Sequence, residues 1–262
     1  MPDKTCYAGT AFKERALQKH RWQFEKLIER GYAAATMYYF DIYPDKPDGR
    51  NESIYALFEK DGIKLNGGAI SAWAWGLSRM MDCLENMPEI DSSKIAVHGH
   101  SRLGKSALWA GAADRRFAMV ISNDSGCCGA ALSRRLFGET LELINIPVSY
   151  WFNPAIKKYI NKEHELPVDQ HMLIALAAPR PVCVSSATED LWADPKGEFL
   201  STSLAGEVYE LFGSKGLNST TMPPADTPIL NDLGYQLRTG KHDMTEQDWN
   251  FYLNFADKHF RK

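Results

Sequence analysis

The chain has 262 residues, of which 44% are hydrophobic and 24% charged, the balance of an ordinary globular protein and not of a disordered or collagen-like one. Lys and Arg number 30 against 33 Asp and Glu, a net charge of −3, which argues against a general electrostatic grip on nucleic acid or acidic lipid. No apolar run approaches the roughly 18 residues of a membrane span, and the five cysteines (Cys6, Cys83, Cys127, Cys128, Cys183) include no CxxC pair, which excludes a zinc ribbon.

The N-terminus, MPDKTCYAGTAFKERALQKHRW, has no apolar core of signal-peptide length. Residues 13–30 read as an amphipathic helix with Leu17, Trp22, Phe24, Leu27 and Ile28 on one face and Gly31 as its stop. The apolar run YAAATMYYF (32–40) predicts a buried strand, and DIYPDKPDGRN a turn-rich loop. A second helix is expected over 69–87. A short strand at Ile95–Val97 then leads through Gly99–Gly104 into a helix from Lys105. Further strands are expected within 118–126 and 179–190, each ending in a polar loop. The last segment, 245–260, reads as an amphipathic helix, with Thr245 as N-cap and Asp248 at the third helical position. Alternating strands and helices predict a single α/β domain over 1–262, with a mostly parallel sheet flanked by helices. Sites in such sheets form beyond the carboxyl ends of the strands.

The strongest motif is Gly99-His100-Ser101-Arg102-Leu103-Gly104-Lys105. A strand–turn–helix with a serine at its apex is the context of a nucleophile elbow, where glycines make room for closely crossing backbone. The second glycine comes one place later than in G-x-S-x-G. The same letters, with Ser106, also match the phosphate loop G-x-x-x-x-G-K-[ST], in which Lys105 would hold phosphates and Ser106 magnesium. Its position in mid-chain, and the later Asp and His loops it would leave idle, speak against that competitor.

A nucleophilic serine needs a base, and the base an orienting carboxylate, in the chain order Ser, acid, His. Four histidines follow Ser101. His164 sits in a charged stretch, His171 precedes an apolar run, and His259 lies where it would interact with a helix end. His242 occupies a turn just before the last helix and is the preferred base. Asp190 is the preferred acid, Glu189 its neighbour, and Asp124 a second candidate, unless it is an Asx-turn residue bonding its own loop.

These segments resemble the glucuronoyl esterases, the fifteenth family of carbohydrate esterases, and especially their bacterial branch. The family signature G-[CH]-S-R-x-G-K is matched by Gly99–Lys105. The likeness continues through SALWAGAADRRFAMVISNDSG, Phe137-Gly138-Glu139, EDLWADPKGEF (189–199) and GKHDM (240–244). The resemblance implies an α/β-hydrolase fold and hydrolysis of esters at the carboxyl group of (4-O-methyl-)glucuronic acid, as between xylan and lignin alcohols. It implies Ser101 as nucleophile, His242 as base, Asp190 or Asp124 as acid (many members carry Glu at the second place) and Arg102 at the oxyanion. Lys105, Glu139 and Trp192 match residues that contact sugar hydroxyls. No metal or organic cofactor is called for. Members are usually secreted or periplasmic.

If 32–40 is the fourth strand of that fold, about a dozen residues precede the first helix, too few for three strands. The expectation is therefore a chain lacking the N-terminal strands, with a gap inside its sheet and an unstable fold. The rival functions are an acetyl xylan or feruloyl-type serine esterase and an inactive fragment that retains the motifs.

Overall fold

The computed structural model describes residues 16–261; Cys6 and the start of the expected helix 13–30 lie outside them. The helices and strands, in chain order, are α1 (Phe24–Glu29), α2 (Ile54–Phe58), α3 (Ala69–Leu84), β1 (Ala96–His100), α4 (Arg102–Ala113), β2 (Met119–Asn123), α5 (Leu141–Val148), α6 (Gln170–Ala175), β3 (Val182–Ala187), α7 (Pro195–Leu211), β4 (Ile229–Leu230), β5 (Leu233–Arg238) and α8 (Glu246–Phe260). Short 3₁₀ turns lie between them.

The strands form one sheet in the order β1-β2-β3-β5-β4. β1, β2, β3 and β5 are parallel, and β4 is a short antiparallel addition. Every residue of β2, β3 and β5 is buried, as a parallel sheet covered on both faces requires. Strand alternation divides the core. Val120, Val182, Val184 and Tyr235 pack with residues of α3, α4, α6 and α7. Met119, Ile121 and Cys183 pack with Phe251, Tyr252 and Phe255 of α8. Gly234 is one position where no side chain fits: a Cβ there would come 2.8 Å from the Phe255 ring. A third cluster, built on Tyr43, Tyr55, Trp73 and Trp151, lies beside α3 and α5.

Two expectations are corrected. Residues 32–40 form no strand: they run without regular structure to a 3₁₀ turn at Tyr39–Asp41, and 33–36 are exposed. A strand needs a ladder partner, and among the described residues none lies alongside. Among the described residues the sheet therefore has no internal gap, and β1 is its edge. The expected helix 13–30 is broken. A 3₁₀ turn at Lys19–Arg21 precedes α1, and of the proposed apolar face only Leu27 is buried. This segment is tied to α8 by polar contacts: Lys26 Nζ to Glu246 at 2.5 Å, Arg30 to Asp257, and the Trp249 indole to the Arg21 carbonyl at 2.9 Å.

The start of α8 follows the sequence reading. Thr245 and Asp248 form a reciprocal capping box, which satisfies two backbone donors of the first turn. The structure adds that Asp248 is fully buried and also accepts from Ser185 Oγ (3.0 Å) and Gln236 Nε2 (2.9 Å). One carboxylate thus caps a helix and ties it to β3 and β5.

Candidate active site

Ser101 stands at the carboxyl end of β1 with φ 58° and ψ −126°, a conformation that costs a non-glycine residue strain and clusters at functional sites. Its N–H donates to the Asn123 carbonyl at 2.8 Å, which ties the turn to the end of β2. The turn is too tight for side chains on either side. A Cβ on Gly99 would lie 1.9 Å from the Leu103 carbonyl oxygen, and one on Gly104 2.9 Å from Ser125 Cβ. α4 begins at the next residue, so its first backbone N–H groups and the positive end of its dipole lie beside the serine.

His242 follows β5, in the loop before α8. Its Nδ1 lies 2.6 Å from Asp190 Oδ2. An ionised carboxylate only accepts, so Nδ1 carries the proton and Nε2 is left as the acceptor. Asp190 is 5% exposed, whereas its neighbour Glu189 is exposed. The His242 ring lies 4.7 Å, centroid to centroid, from that of His100, the residue before Ser101. Burial holds the His100 imidazole well below its ordinary pKa, with His242 a further cause. It therefore stays neutral, and its Nδ1 donates to Asn123 Oδ1.

Asp124 joins this group without touching the imidazole through a hydrogen bond. Ligand atoms of Asp124, Asp190 and His242 lie within 4.8 Å of one another. Within this group His242 Nδ1 and Asp190 Oδ2 are engaged with each other at 2.6 Å. Asp124 is 2% exposed, and among the described residues neither of its side-chain oxygens has a hydrogen-bond partner; Arg238 Nη2 is 3.9 Å away. It makes no Asx turn. Burial, and then the neighbouring Glu198, Asp190 and Asp248, push its carboxyl well above the usual range, which favours the neutral form.

Three residues that the sequence did not flag hold these loops. Arg238, nearly fully buried at the end of β5, donates to the carbonyls of Thr239 (3.1 Å), Lys241 (2.8 Å) and Asp243 (3.0 Å). It so fixes the turn that carries His242. Glu198 of α7, fully buried, accepts from Ser125 N (2.8 Å), Ser125 Oγ (3.1 Å), Gly126 N (2.9 Å) and Ser186 Oγ (2.6 Å). This fixes the loop after Asp124. Burial nonetheless raises the Glu198 pKa to about 7.

The third is Asp45. Its carboxylate is 0% exposed. It accepts from Tyr150 Oη (2.7 Å), from Trp151 Nε1 (2.7 Å) and from the Arg102 guanidinium. The guanidinium also lies over the Trp151 ring, 4.9 Å from its centroid, close enough for cation–π attraction. Arg102, next to the serine, is thus held by a charge-assisted hydrogen bond on one side and an aromatic face on another. The sequence marked Asp45 only as part of a turn-rich loop.

Lys105, Glu139 and Trp192 converge as one unit. Buried Lys105 donates to the carbonyls of Ser125 and Cys127, both at 2.6 Å, and to Glu139 Oε2 at 3.1 Å. Trp192 donates from Nε1 to Glu139 Oε1 at 3.1 Å, and its ring is 53% exposed, so it is no packing residue. The phosphate-loop alternative fails here. Every Lys105 donor is engaged by oxygens, and Ser106 is 0% exposed with its hydroxyl on the Arg102 carbonyl. The other histidines lie elsewhere: His164 is solvated, and His259 contacts the Asn231 carbonyl. Among the described residues Cys83, Cys127, Cys128 and Cys183 are free thiols.

A family model described as glucuronyl esterase, fungi, matches residues 23–213. The chain belongs to the glucuronoyl esterase family. A promiscuous esterase of carbohydrate esterase family 15 from a marine bacterial metagenome is 51% identical and superposes with a TM-score of 0.86, over 92% of this chain and 62% of that one. The glucuronoyl esterase of Solibacter usitatus is 47% identical, with a TM-score of 0.91 over 96% of this chain and 65% of its own. That of Sporotrichum thermophile, solved as a mutant in complex with methyl 4-O-methyl-β-D-glucopyranuronate, is 27% identical, with a TM-score of 0.65 over 79% and 55%. The chain thus spans less than two thirds of the length of these glucuronoyl esterase relatives.

Proposed function

We propose that this protein is a serine esterase that hydrolyses esters of glucuronic acid or its 4-O-methyl ether through an acyl-enzyme on Ser101. Ser101 Oγ attacks the uronoyl carbonyl while His242 Nε2 takes its proton. Asp190 fixes the imidazole through Nδ1–H and stabilises the imidazolium as it forms. The Arg102 guanidinium and the first turn of α4 face the negative charge that develops on the carbonyl oxygen. Collapse of the tetrahedral intermediate expels the alcohol, which receives the proton from His242. Water, activated by the same imidazole, then releases the uronic acid. Asp124, held towards its neutral form, contributes space and polarity beside the dyad and not the orienting charge.

The observation that carries a uronate over a plain acetyl group is the Lys105–Glu139–Trp192 unit. A carboxylate and an exposed indole suit ring hydroxyls and a sugar face, whereas buried Lys105, with all three donors already engaged, supports Glu139 and is not itself offered to the sugar; an acetyl group would leave the carboxylate and indole idle. The ligand bound by the Sporotrichum thermophile relative, an ester of this class, supports the reading. Glucuronate side chains of xylan esterified by lignin alcohols are the natural polymer of this description. The promiscuity of the marine relative favours a second reading in which acetate or feruloyl esters are also cleaved. Benzyl glucuronate and phenyl acetate, assayed side by side, test the first reading. Preference for the glucuronate in kcat/KM supports it, and turnover of the acetate alone overturns it.

A further inference from the structure

The loop after β2 carries two adjacent cysteines that the hydrolytic steps do not use. Cys127 and Cys128 are both free thiols, and their Sγ atoms lie 3.9 Å apart. Neighbouring side chains of an extended chain point to opposite sides. Here the chain is folded back: Cys128 has a left-handed φ of 57° and Gly126 one of 58°. A residue with a β-carbon holds such a backbone only where its surroundings impose it. The turn does impose it. The Gly126 carbonyl accepts from Gly129 N at 2.9 Å and from Ala131 N at 3.1 Å, and a Cβ on Gly129 would meet the Ser125 carbonyl oxygen at 2.5 Å. The two sulfurs are therefore held side by side.

The peptide that joins the pair is tied to the Lys105–Glu139–Trp192 unit. Its carbonyl, that of Cys127, accepts from Lys105 Nζ at 2.6 Å. The same ammonium donates to the Ser125 carbonyl and to Glu139 Oε2, and the other Glu139 oxygen accepts from Trp192. A change in the Cys127–Cys128 peptide therefore reaches Glu139 through one side chain. The two thiols differ in access. Cys127 is 3% exposed, whereas Cys128 is half-buried. The contact with Cys128, and then burial, hold the Cys127 thiol well above its ordinary pKa, so an oxidant meets Cys128 first.

We propose that Cys127 and Cys128 form a modification site, which small organic disulfides convert to a vicinal disulfide and thereby weaken uronate binding. The inference rests on the esterase reading above. The Cys128 thiolate attacks one sulfur of the reagent, forms a mixed disulfide and releases one thiolate. Cys127 then loses its proton and attacks Cys128 Sγ, expelling the second thiolate. Two electrons pass from the pair to the reagent, and the two thiol protons end on the two released thiolates. The second attack is intramolecular, which favours it. Bonded sulfurs are about 2.05 Å apart, so closure draws the pair well inside its present 3.9 Å. The resulting ring is small and contains the joining amide, so closing it rotates that peptide plane about its flanking bonds. The Cys127 carbonyl turns with it. Lys105 loses a fixed acceptor, and Glu139 a firmly held partner.

The test treats the native chain with bis(2-hydroxyethyl) disulfide and reads peptide mass and kinetics. Trypsin cuts after Arg116 and Arg134, and the peptide 117–134 between them contains no cysteine besides this pair. That peptide is expected to lose two hydrogens. KM for methyl glucuronate is expected to rise about tenfold, the worth of one hydrogen bond to a charged group, with kcat within about twofold. Dithiothreitol should reverse both changes. Cys128→Ser should start near the parent KM and not respond to the reagent. Cys83→Ser, which removes an exposed thiol, should respond as the parent does. A 117–134 peptide that keeps both hydrogens, or carries only a reagent adduct, overturns the proposal. So does a closed pair with unchanged KM. Failure of the esterase reading is distinguishable: the untreated chain would then not turn over methyl glucuronate, while the peptide mass still decides whether the pair closes.

Discussion

Asp45→Asn is the most informative single change outside the serine, acid and base. In the structure one fully buried carboxylate serves Tyr150, Trp151 and Arg102. An asparagine oriented to keep the Tyr150 and Trp151 bonds turns an N–H towards the guanidinium, so a donor meets a donor and the charge is lost. A hydrogen bond to a charged group contributes about 1.5–3 kcal/mol. The Arg102 side chain is 18% exposed, so it can turn towards water and limit the loss of stability to about 2 kcal/mol. Activity should suffer more. Removing one preorganised oxyanion donor costs about 2.7–4 kcal/mol, roughly 10²–10³ in kcat. Steady-state kinetics on methyl glucuronate should show kcat lowered about 100-fold with KM little changed, since the sugar contacts proposed for Glu139 and Trp192 are untouched. In a double-mutant cycle with Arg102→Ala, the second substitution should add little, because both remove one interaction. A folded Asp45→Asn enzyme with kcat near that of the parent, or full additivity in the cycle, would refute the reasoning.

Asp190→Asn should lower kcat by about 10³–10⁴, as loss of the tautomer-fixing carboxylate does elsewhere, whereas Asp124→Asn should cost less than about tenfold because its carboxyl already favours the neutral form; equal losses would contradict the assignment. Glu198 has a folded pKa raised from 4.5 to about 7, so its contribution is intact below pH 4.5 and is lost as pH rises through 7. At about 1.4 kcal/mol per unit, the stability of the parent relative to Glu198→Gln should fall by roughly 3 kcal/mol between pH 4.5 and 8 in urea titrations, and a flat difference would count against the reading. Trp192→Phe keeps the ring but not the indole donor, and should raise KM for methyl glucuronate about fivefold, the worth of one hydrogen bond, with kcat nearly intact. A fall in kcat alone would point to a different role.

The parts of the fold that could be read from the chain were those in which side-chain pattern and local chemistry agree. β1, its glycine turn and α4 were legible because Gly99 and Gly104 are demanded by backbone contacts that leave a recognisable spacing. The cap of α8 was legible for the same reason. Residues 32–40 misled because apolarity alone does not make a strand; a ladder partner does, and none lies beside them among the described residues. α7 was overlooked because it begins with Pro195 and buries Gly197, Ser201, Thr202 and Gly206, small residues that allow close packing but carry no amphipathic signal. β5 was overlooked because its Gln236 and Arg238 look like surface residues until their buried partners, Asp248 and the 239–243 carbonyls, are known. The pairing of His242 with Asp190 followed from chain order and loop placement. The supports of the site, Asp45, Glu198 and Arg238, did not, since each acts on a loop distant in sequence.

In the proposed mechanism Ser101 itself takes up the uronoyl group. Rapid quenching of the chain with methyl glucuronate, followed by peptide mass spectrometry, tests this directly. The expected result is a glucuronoyl ester on the peptide containing Ser101, absent in Ser101→Ala and longer-lived in a variant slowed at Asp190. Hydrolysis that persists in Ser101→Ala, or an adduct on another residue, would contradict it.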